Sequence, residues 1–310
     1  MLEVITLGTG AAVPTRFRNL SSTAVVRNGD VYIYDCGEGT QIQLRRARIR
    51  PGRIKRIFIS HFHGDHIFGL PGLLTSLQMA GCSQEITLYG PQGIAEFIEF
   101  HKNFCQFTLT FPLKIIEIPR SSEAEEIRDK GMVIKCQPLK HRTHTLGWAF
   151  IEDMRPGKFN AKRAQKLGVP SGPLLSKLQA GEDITLEDGR VIRSKEVVGE
   201  RRPGHHVAYC IDTSPCDASV ELAKGADVLV HEATFYSRNA DVAEISGHST
   251  AQEAAQIAKQ AGVHHLILSH FSARTLPEDE ATVLEEAKAF FPETSMAHDL
   301  ERFTFDYEDK

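Results

Sequence analysis

The sequence predicts an α/β fold built as a two-part sandwich. Short apolar strands alternate along the chain with segments of helical periodicity. The strand ends carry the polar chemistry: Tyr34 runs into Asp35, Ser60 into His61, Ile211 into Asp212, Val230 into His231 and Ser269 into His270. Two of these segments nearly repeat each other, Ile57-Phe58-Ile59-Ser60-His61-Phe62 and Leu266-Ile267-Leu268-Ser269-His270-Phe271. Each half of the sandwich is therefore expected to offer functional groups from a strand end, where the sites of open α/β sheets gather.

Taken in order, residues 23–26 and 31–34 flank Asn28-Gly29 and read as a tight hairpin. Further strands are expected at 54–60, 86–89, 133–136, 207–211, 228–230 and 266–269. Helical periodicity fits 39–47, 72–79, 94–101, 250–260 and 278–290, with Ser249 or Thr250 as a cap and Glu253 in the first turn. One stretch breaks the rhythm. Residues 155–203 are rich in Gly, Pro and charge, with turn signals at Pro156-Gly157, Pro170-Ser171-Gly172-Pro173, Asp188-Gly189 and Pro203-Gly204. A long insertion inside one 1–310 domain is expected there, and such loops are usually functional or disordered.

Composition sets outer limits. Of 310 residues, 41% are hydrophobic, enough for a sizeable core, and the formal net charge of −4 excludes a uniformly basic nucleic-acid binder. No apolar run approaches the roughly 20 residues of a membrane-spanning helix. The start, Met1-Leu2-Glu3-Val4, has neither the basic nor the apolar region of a secretory signal. The six cysteines form no C-x-x-C pair, which fits reduced thiols and a cytoplasmic location.

The strongest local signal is His61-Phe62-His63-Gly64-Asp65-His66. Alternate side chains of an extended segment share a face, so His61 and His63 can point together. Gly64 permits a sharp bend, after which Asp65 and His66 face a second point in space. One imidazole pair and one carboxylate–imidazole pair within six positions suit two adjacent cations of borderline softness, such as zinc.

This H-x-H-x-D-H box resembles the signature of the metallo-β-lactamase superfamily. The resemblance implies a four-layer αββα sandwich with a binuclear metal site. It implies three more ligands downstream, for which His141, Asp212 and His270 fit; His144 is the rival to His141. By analogy His61, His63 and His141 would hold one Zn2+, Asp65, His66 and His270 a second, and Asp212 would bridge them. Asp65 would also orient the attacking water and take its proton. The remaining histidines, His101, His205, His206, His264, His265 and His298, read as structural or surface residues.

Four further features resemble the tRNase Z family. Pro14-Thr15-Arg16-Phe17-Arg18-Asn19 is similar to its Pro-x-(Lys/Arg)-x-Arg-Asn loop, His231-Glu232-Ala233-Thr234 to its HEAT motif, and His248-Ser249-Thr250 to its HST motif. Gly172-Pro173 is similar to the tip of its flexible tRNA-binding arm. The likeness spans nearly the whole chain. It implies a homodimeric endoribonuclease that cuts the 3′ trailer from precursor tRNA after the discriminator nucleotide and leaves a 3′-hydroxyl. It casts Arg16, Arg18, Asn19, Lys162, Arg163, Lys166, Gly172 and Pro173 as RNA contacts, His248 as the proton donor, and Glu232 as the group that orients it or a ligand. Trp148 and Thr275 stand where Tyr is common in that family, which puts fine substrate contacts in doubt. Charge placement adds an independent argument. Seven basic residues and no acid lie between Arg45 and Arg56, the insertion opens with Arg155, Lys158, Lys162, Arg163 and Lys166, and acids concentrate at 278–286 and 299–309. Basic patches of this kind neutralise phosphates. The alternatives are a superfamily hydrolase with another substrate, such as a different phosphodiester, and a non-catalytic RNA-binding relative.

Overall fold

The computed structural model describes residues 2–307; the two ends of the expected 1–310 domain, and Glu308 and Asp309 of the acidic tail, lie outside the described residues. In the first half, β1 (Leu2–Gly8), β2 (Ser22–Arg27), β3 (Asp30–Tyr34), β4 (Ile54–Phe58), β5 (Ile86–Pro91) and β6 (Leu113–Ile118) are joined with α1 (Thr40–Arg46), α2 (Gly64–Ile67), α3 (Leu70–Met79) and α4 (Ile94–Phe104). The second half begins with β7 (Glu125–Asp129), β8 (Met132–Leu139) and β9 (Thr145–Glu152). It resumes with β12 (His206–Cys210), α7 (Asp217–Ala223), β13 (Val228–Glu232), α8 (Ala240–Ser246), α9 (Ala251–Ala261), β14 (His265–Ser269), α10 (Glu280–Lys288) and β15 (Thr294–Met296). Between them lie α5 (Ala161–Lys166), α6 (Pro173–Gln179) and the ribbon β10 (Ile184–Thr185) with β11 (Val191–Ile192). The last strand, β16 (Glu301–Phe305), crosses back to β1.

The two sheets have the same plan. One runs β16-β1-β2-β3-β4-β5-β6 and the other β15-β14-β13-β12-β9-β8-β7, each with four antiparallel and four parallel strands that share one strand at the change. Tyr34, Phe58, Tyr89, Trp148, Phe150 and Tyr209 fill the space between them. Leu44, Leu73, Leu74 and Ile98 seat helices on the outside of the first sheet, and Leu222, Ala254, Ala258 and Val283 seat helices on the second. The layers are therefore helix, sheet, sheet, helix. Asn28 and Gly29 have φ of 50° and 80°, the left-handed pair that a two-residue hairpin turn requires. Thr250, rather than Ser249, caps α9: its side chain accepts from the Glu253 backbone, and Glu253 reaches back to Thr250 N at 2.8 Å.

The segment that reads as irregular in sequence is folded. It leaves after β9 and returns before β12, zipped at its neck by Arg155 N to Arg202 O at 2.7 Å and Arg202 N to Arg155 O at 2.9 Å. A side chain on Gly157 would lie 1.9 Å from Gly199 O, so the neck closes only with glycine there. Ala164, Val169, Leu178, Ile184, Leu186, Ile192 and Val197 form a small core of its own. Its elements are too short to show a periodicity in sequence. Trp148 is a correction of a different kind. It is fully buried between the sheets and donates to Ile59 O at 3.2 Å, so its departure from Tyr concerns core packing and not substrate contact.

Candidate metal centre

The strand ends of both sheets converge on one cleft. β4 delivers His61 and His63, α2 carries Asp65 and His66, the β8–β9 loop brings His141, and β12 and β14 run into Asp212 and His270. Ligand atoms of His61, His63, His141 and Asp212 lie within 4.8 Å of one another, as do those of Asp65, His66 and His270. His141, not His144, is the histidine in the first set.

Asp212 stands between the sets. Its Oδ2 is 3.5 Å from His61 Nε2 and 3.6 Å from His141 Nε2, while Oδ1 is 3.3 Å from His66 Nε2 and 3.0 Å from His270 Nε2. A tetrahedral ion with zinc–nitrogen distances of roughly 2.0–2.1 Å has ligand–ligand edges of about 3.3 Å. His61 Nε2, His141 Nε2 and Asp212 Oδ1 are buried and make no hydrogen bond among the described residues. Such groups are costly unless something accepts their lone pairs. The donor set, its spacing and its orphaned atoms fit divalent cations.

Hydrogen bonds fix which nitrogen four of the five imidazoles present, those of His61, His66, His141 and His270. His66 Nδ1 donates to Asp35 Oδ2 at 2.8 Å. His61 Nδ1 donates to Ser60 Oγ at 2.9 Å, which in turn donates to Asp35 Oδ2. The other sheet repeats the device: His270 Nδ1 donates to Thr234 Oγ1 at 3.0 Å, and Thr234 donates to Glu232 Oε2 at 2.6 Å. His141 Nδ1 donates to Gly247 O at 2.6 Å. With Nδ1 engaged in each case, Nε2 faces the cleft as a lone-pair donor. The sequence places Asp35 and Ser60 at strand ends and Thr234 in His231-Glu232-Ala233-Thr234, but it does not show which histidine each of them supports. The near-repeat of Ser60-His61 and Ser269-His270 points to the histidines themselves; the supporting hydroxyl of His270 comes from Thr234, on another segment.

Electrostatics follow from this crowding. Burial works against a charged His270, but Asp212 outweighs it and raises its pKa to about 10. For His66, too, burial is outweighed by Asp212 and Asp35, and the pKa rises. Burial opposes charge on Asp212, but His270 and His66 overcome it and hold its carboxyl well below the usual range. In His61 burial prevails and the pKa falls. Donors held like this bind a cation by giving up protons.

His248 lines the same cleft, a space of about 840 Å3. Its Nδ1 is 2.9 Å from Glu232 Oε1, and Glu232, fully buried, also accepts from Thr213 N and Ser249 N. Burial opposes charge on His248, yet Glu232 outweighs it and raises the pKa. Asp212, His248 and His270 make a third close group.

The residues expected to contact RNA are less uniform. Arg16 is exposed, two residues along the chain from Pro14, which lines the cleft. Arg18 is a correction: its guanidinium is buried, donating to Thr9 Oγ1 and Ala297 O at 2.7 Å each and to Glu280 at 2.6 Å. It ties the loop down and turns away from solvent. Asn19 is likewise engaged, donating to Asp299 Oδ2 at 2.9 Å. Lys162, Arg163 and Lys166 are exposed on α5, and Gly172 and Pro173 are exposed at the start of α6.

Two sheets between helical layers, with paired donor sets at their strand ends, define a metallo-β-lactamase fold. A model of the metallo-beta-lactamase superfamily matches residues 15–84, and one of a beta-lactamase superfamily domain matches residues 194–271. Ribonuclease Z of Microcystis aeruginosa is 44% identical over 304 residues, covering 96% of this chain and 95% of that one. Ribonuclease BN of Erwinia tasmaniensis is 46% identical, covering 96% and 98%. The crystal structure of human tRNase Z, short form, superposes with a TM-score of 0.72 at 29% identity, covering 97% and 98%. The chain belongs to the ribonuclease Z family.

Proposed function

We propose that this chain is an endoribonuclease that uses two Zn2+ ions to cut the 3′ trailer from precursor tRNA after the discriminator nucleotide, leaving a 3′-hydroxyl. Family membership supports the reaction class, and the placement of Asp212 supports a two-ion site: one carboxylate turns an oxygen to each donor set. His61, His63 and His141 would hold one ion, Asp65, His66 and His270 the other, with Asp212 shared. Zinc held there would supply Lewis-acid chemistry: a lowered pKa for water and stabilisation of charge on phosphate oxygens.

The chain's own groups do the rest. Asp65 keeps one carboxylate oxygen fixed by Ala12 N at 2.7 Å. It can align the attacking water and accept its proton. His248, charged by Glu232, can donate from Nε2 to the departing 5′-oxygen of the trailer. Exposed Arg16 and the basic face of α5 are the candidate RNA contacts.

Among the described residues no helix is long and apolar enough to cross a membrane. We place the enzyme in the cytoplasm as a homodimer, which light scattering of the purified protein would check. The decisive experiment is metal analysis of that protein, followed by mapping of its products on precursor tRNA. Two zinc ions per chain and a single cut 3′ of the discriminator are expected. A metal-free protein with full activity would overturn the reading.

A further inference from the structure

A basic groove lies at the opposite end of the sandwich from the donor sets. After α1 the chain turns at Arg48, which has a φ of 58°, and passes Arg50 into the short turn Pro51–Arg53 that starts β4. This loop, the β2–β3 hairpin at Gly29 and Arg302 of β16 enclose a groove of about 450 Å3. Arg48, Arg50, Arg53 and Arg302 all line it, and Glu3 is its one acidic lining residue among those described. Arg302 already neutralises Glu3, with Nη1 at 2.9 Å from both carboxylate oxygens, and a second guanidinium nitrogen rests on Ala47 O. Arg53 is steadied by Gly29 O at 2.5 Å. Arg48 and Arg50 are exposed and have no acid partner among the described residues. Arg56, which belongs to the same basic run in sequence, stands apart from the groove: it is buried against Asp129 at 2.6 Å.

Two of the four guanidinium groups are thus held in place before any ligand arrives, and two are open. Guanidinium forks match phosphate oxygens. The groove cannot hold the scissile phosphate. β4 begins at the groove with Ile54 and His61 follows three residues after its end, so at ~3.3 Å per residue the donors lie about 20 Å away. It is, however, at the same end as the neck of the insertion. β9 closes with Glu152, which pairs with Arg27 beside the β2–β3 hairpin, and that hairpin forms the other wall of the groove.

We infer that this groove seats phosphates of the substrate RNA backbone, remote from the cut. The inference rests on the proposed function, since it takes the RNA substrate as the partner. The test compares the full chain with an Arg48→Gln/Arg50→Gln variant and with a Lys224→Gln/Lys259→Gln control that loses the same charge from exposed positions of the α7–α9 face. Binding of precursor tRNA is measured over a salt series, together with hydrolysis of a small chromogenic phosphodiester. The arginine variant should bind about tenfold more weakly at low salt. Its plot of log K against log salt should flatten by roughly 1.4–1.8, the value for two phosphates no longer neutralised. The lysine control should match the parent, and all three should hydrolyse the small diester alike. A parent that binds and cuts precursor tRNA, with an arginine variant no different from the lysine control, overturns the groove alone. A parent that hydrolyses the small diester but does not bind precursor tRNA overturns both this inference and the function it rests on.

Discussion

Asp212 carries its carboxylate on a backbone that side chains rarely adopt. Its φ is 56°, and Asp35 and His270 share the feature at 57° and 59°. Each lies just past a buried strand; Asp212 and His270 turn their side chains to His66 and Asp65 of the other half, and Asp35 holds Ser60 and His66 of its own while accepting from Tyr209 of the other. Such left-handed residues cost of order 1–3 kcal/mol each and persist where the surroundings over-determine them. Asp212→Ala keeps a Cβ and so does not relieve that cost, and it is expected to remove the site, because each donor set loses an oxygen of the shared carboxylate. Bound metal should fall well below two ions per chain and cleavage should vanish; an alanine variant that keeps its metal and its activity would leave Asp212 with a structural role only. His248→Ala is the complementary change. Its Nδ1 is committed to Glu232, so the variant should retain metal while single-turnover cleavage drops by about 10². Loss of metal instead would make His248 a ligand, consistent with its closeness to Asp212 and His270. The sequence displays the donors because four of them sit in six positions. It shows Asp35 and Thr234 but not what they hold, because their hydrogen bonds exist only once separate segments are side by side, and it misleads at Arg18, whose charge is satisfied inside by Glu280.

Elements with a clear period are legible in the sequence, and those held by tertiary packing are not. β7, Glu-Glu-Ile-Arg-Asp, is charged in all but one position and is not among the strands the sequence predicts, yet all five of its residues pair with β8 at the sheet edge. Its last residue has a structural use. Asp129 takes a hydrogen bond from Arg56 Nε at 2.6 Å and from Tyr89 Oη at 3.0 Å, linking the edge of one sheet to β4 and β5 of the other. The Arg56 guanidinium holds the Asp129 carboxyl down to about 2, against an ordinary 3.8. A carboxylate with a lowered pKa in the fold contributes stability above its unfolded value and loses it as pH falls toward the folded value. Asp129→Asn should therefore cost about 1–2 kcal/mol at pH 7. The gap between parent and variant should narrow as pH drops below about 4. Urea unfolding at a series of pH values would show this, and a gap independent of pH would assign the loss to packing rather than charge.

At the scale of the molecule, the metal centre and the insertion occupy opposite ends of the second sheet. β9 starts near His141 and ends at the neck of the insertion, while β12 starts at the neck and ends at Asp212. The inserted segment has its own core and contains none of the seven candidate ligands. Replacing residues 156–203 with a short Gly/Ser linker should consequently separate chemistry from grip. Arg155 remains in place, where its guanidinium stacks 3.4 Å from the Tyr307 ring, and Gly204 keeps its tight approach to Glu152. β9 and β12 can still pair, so hydrolysis of a small phosphodiester should persist. Affinity for precursor tRNA should fall sharply, because Lys162, Arg163 and Lys166 go with the segment. The dependence of log K on log salt should flatten by roughly 0.7–0.9 for each phosphate that the shortened chain no longer neutralises. Substituting those three residues alone should give a milder version of the same shift. If the shortened protein binds precursor tRNA as tightly as the parent across the salt series, the insertion is not the grip, and the arginine groove beside its neck must supply the affinity.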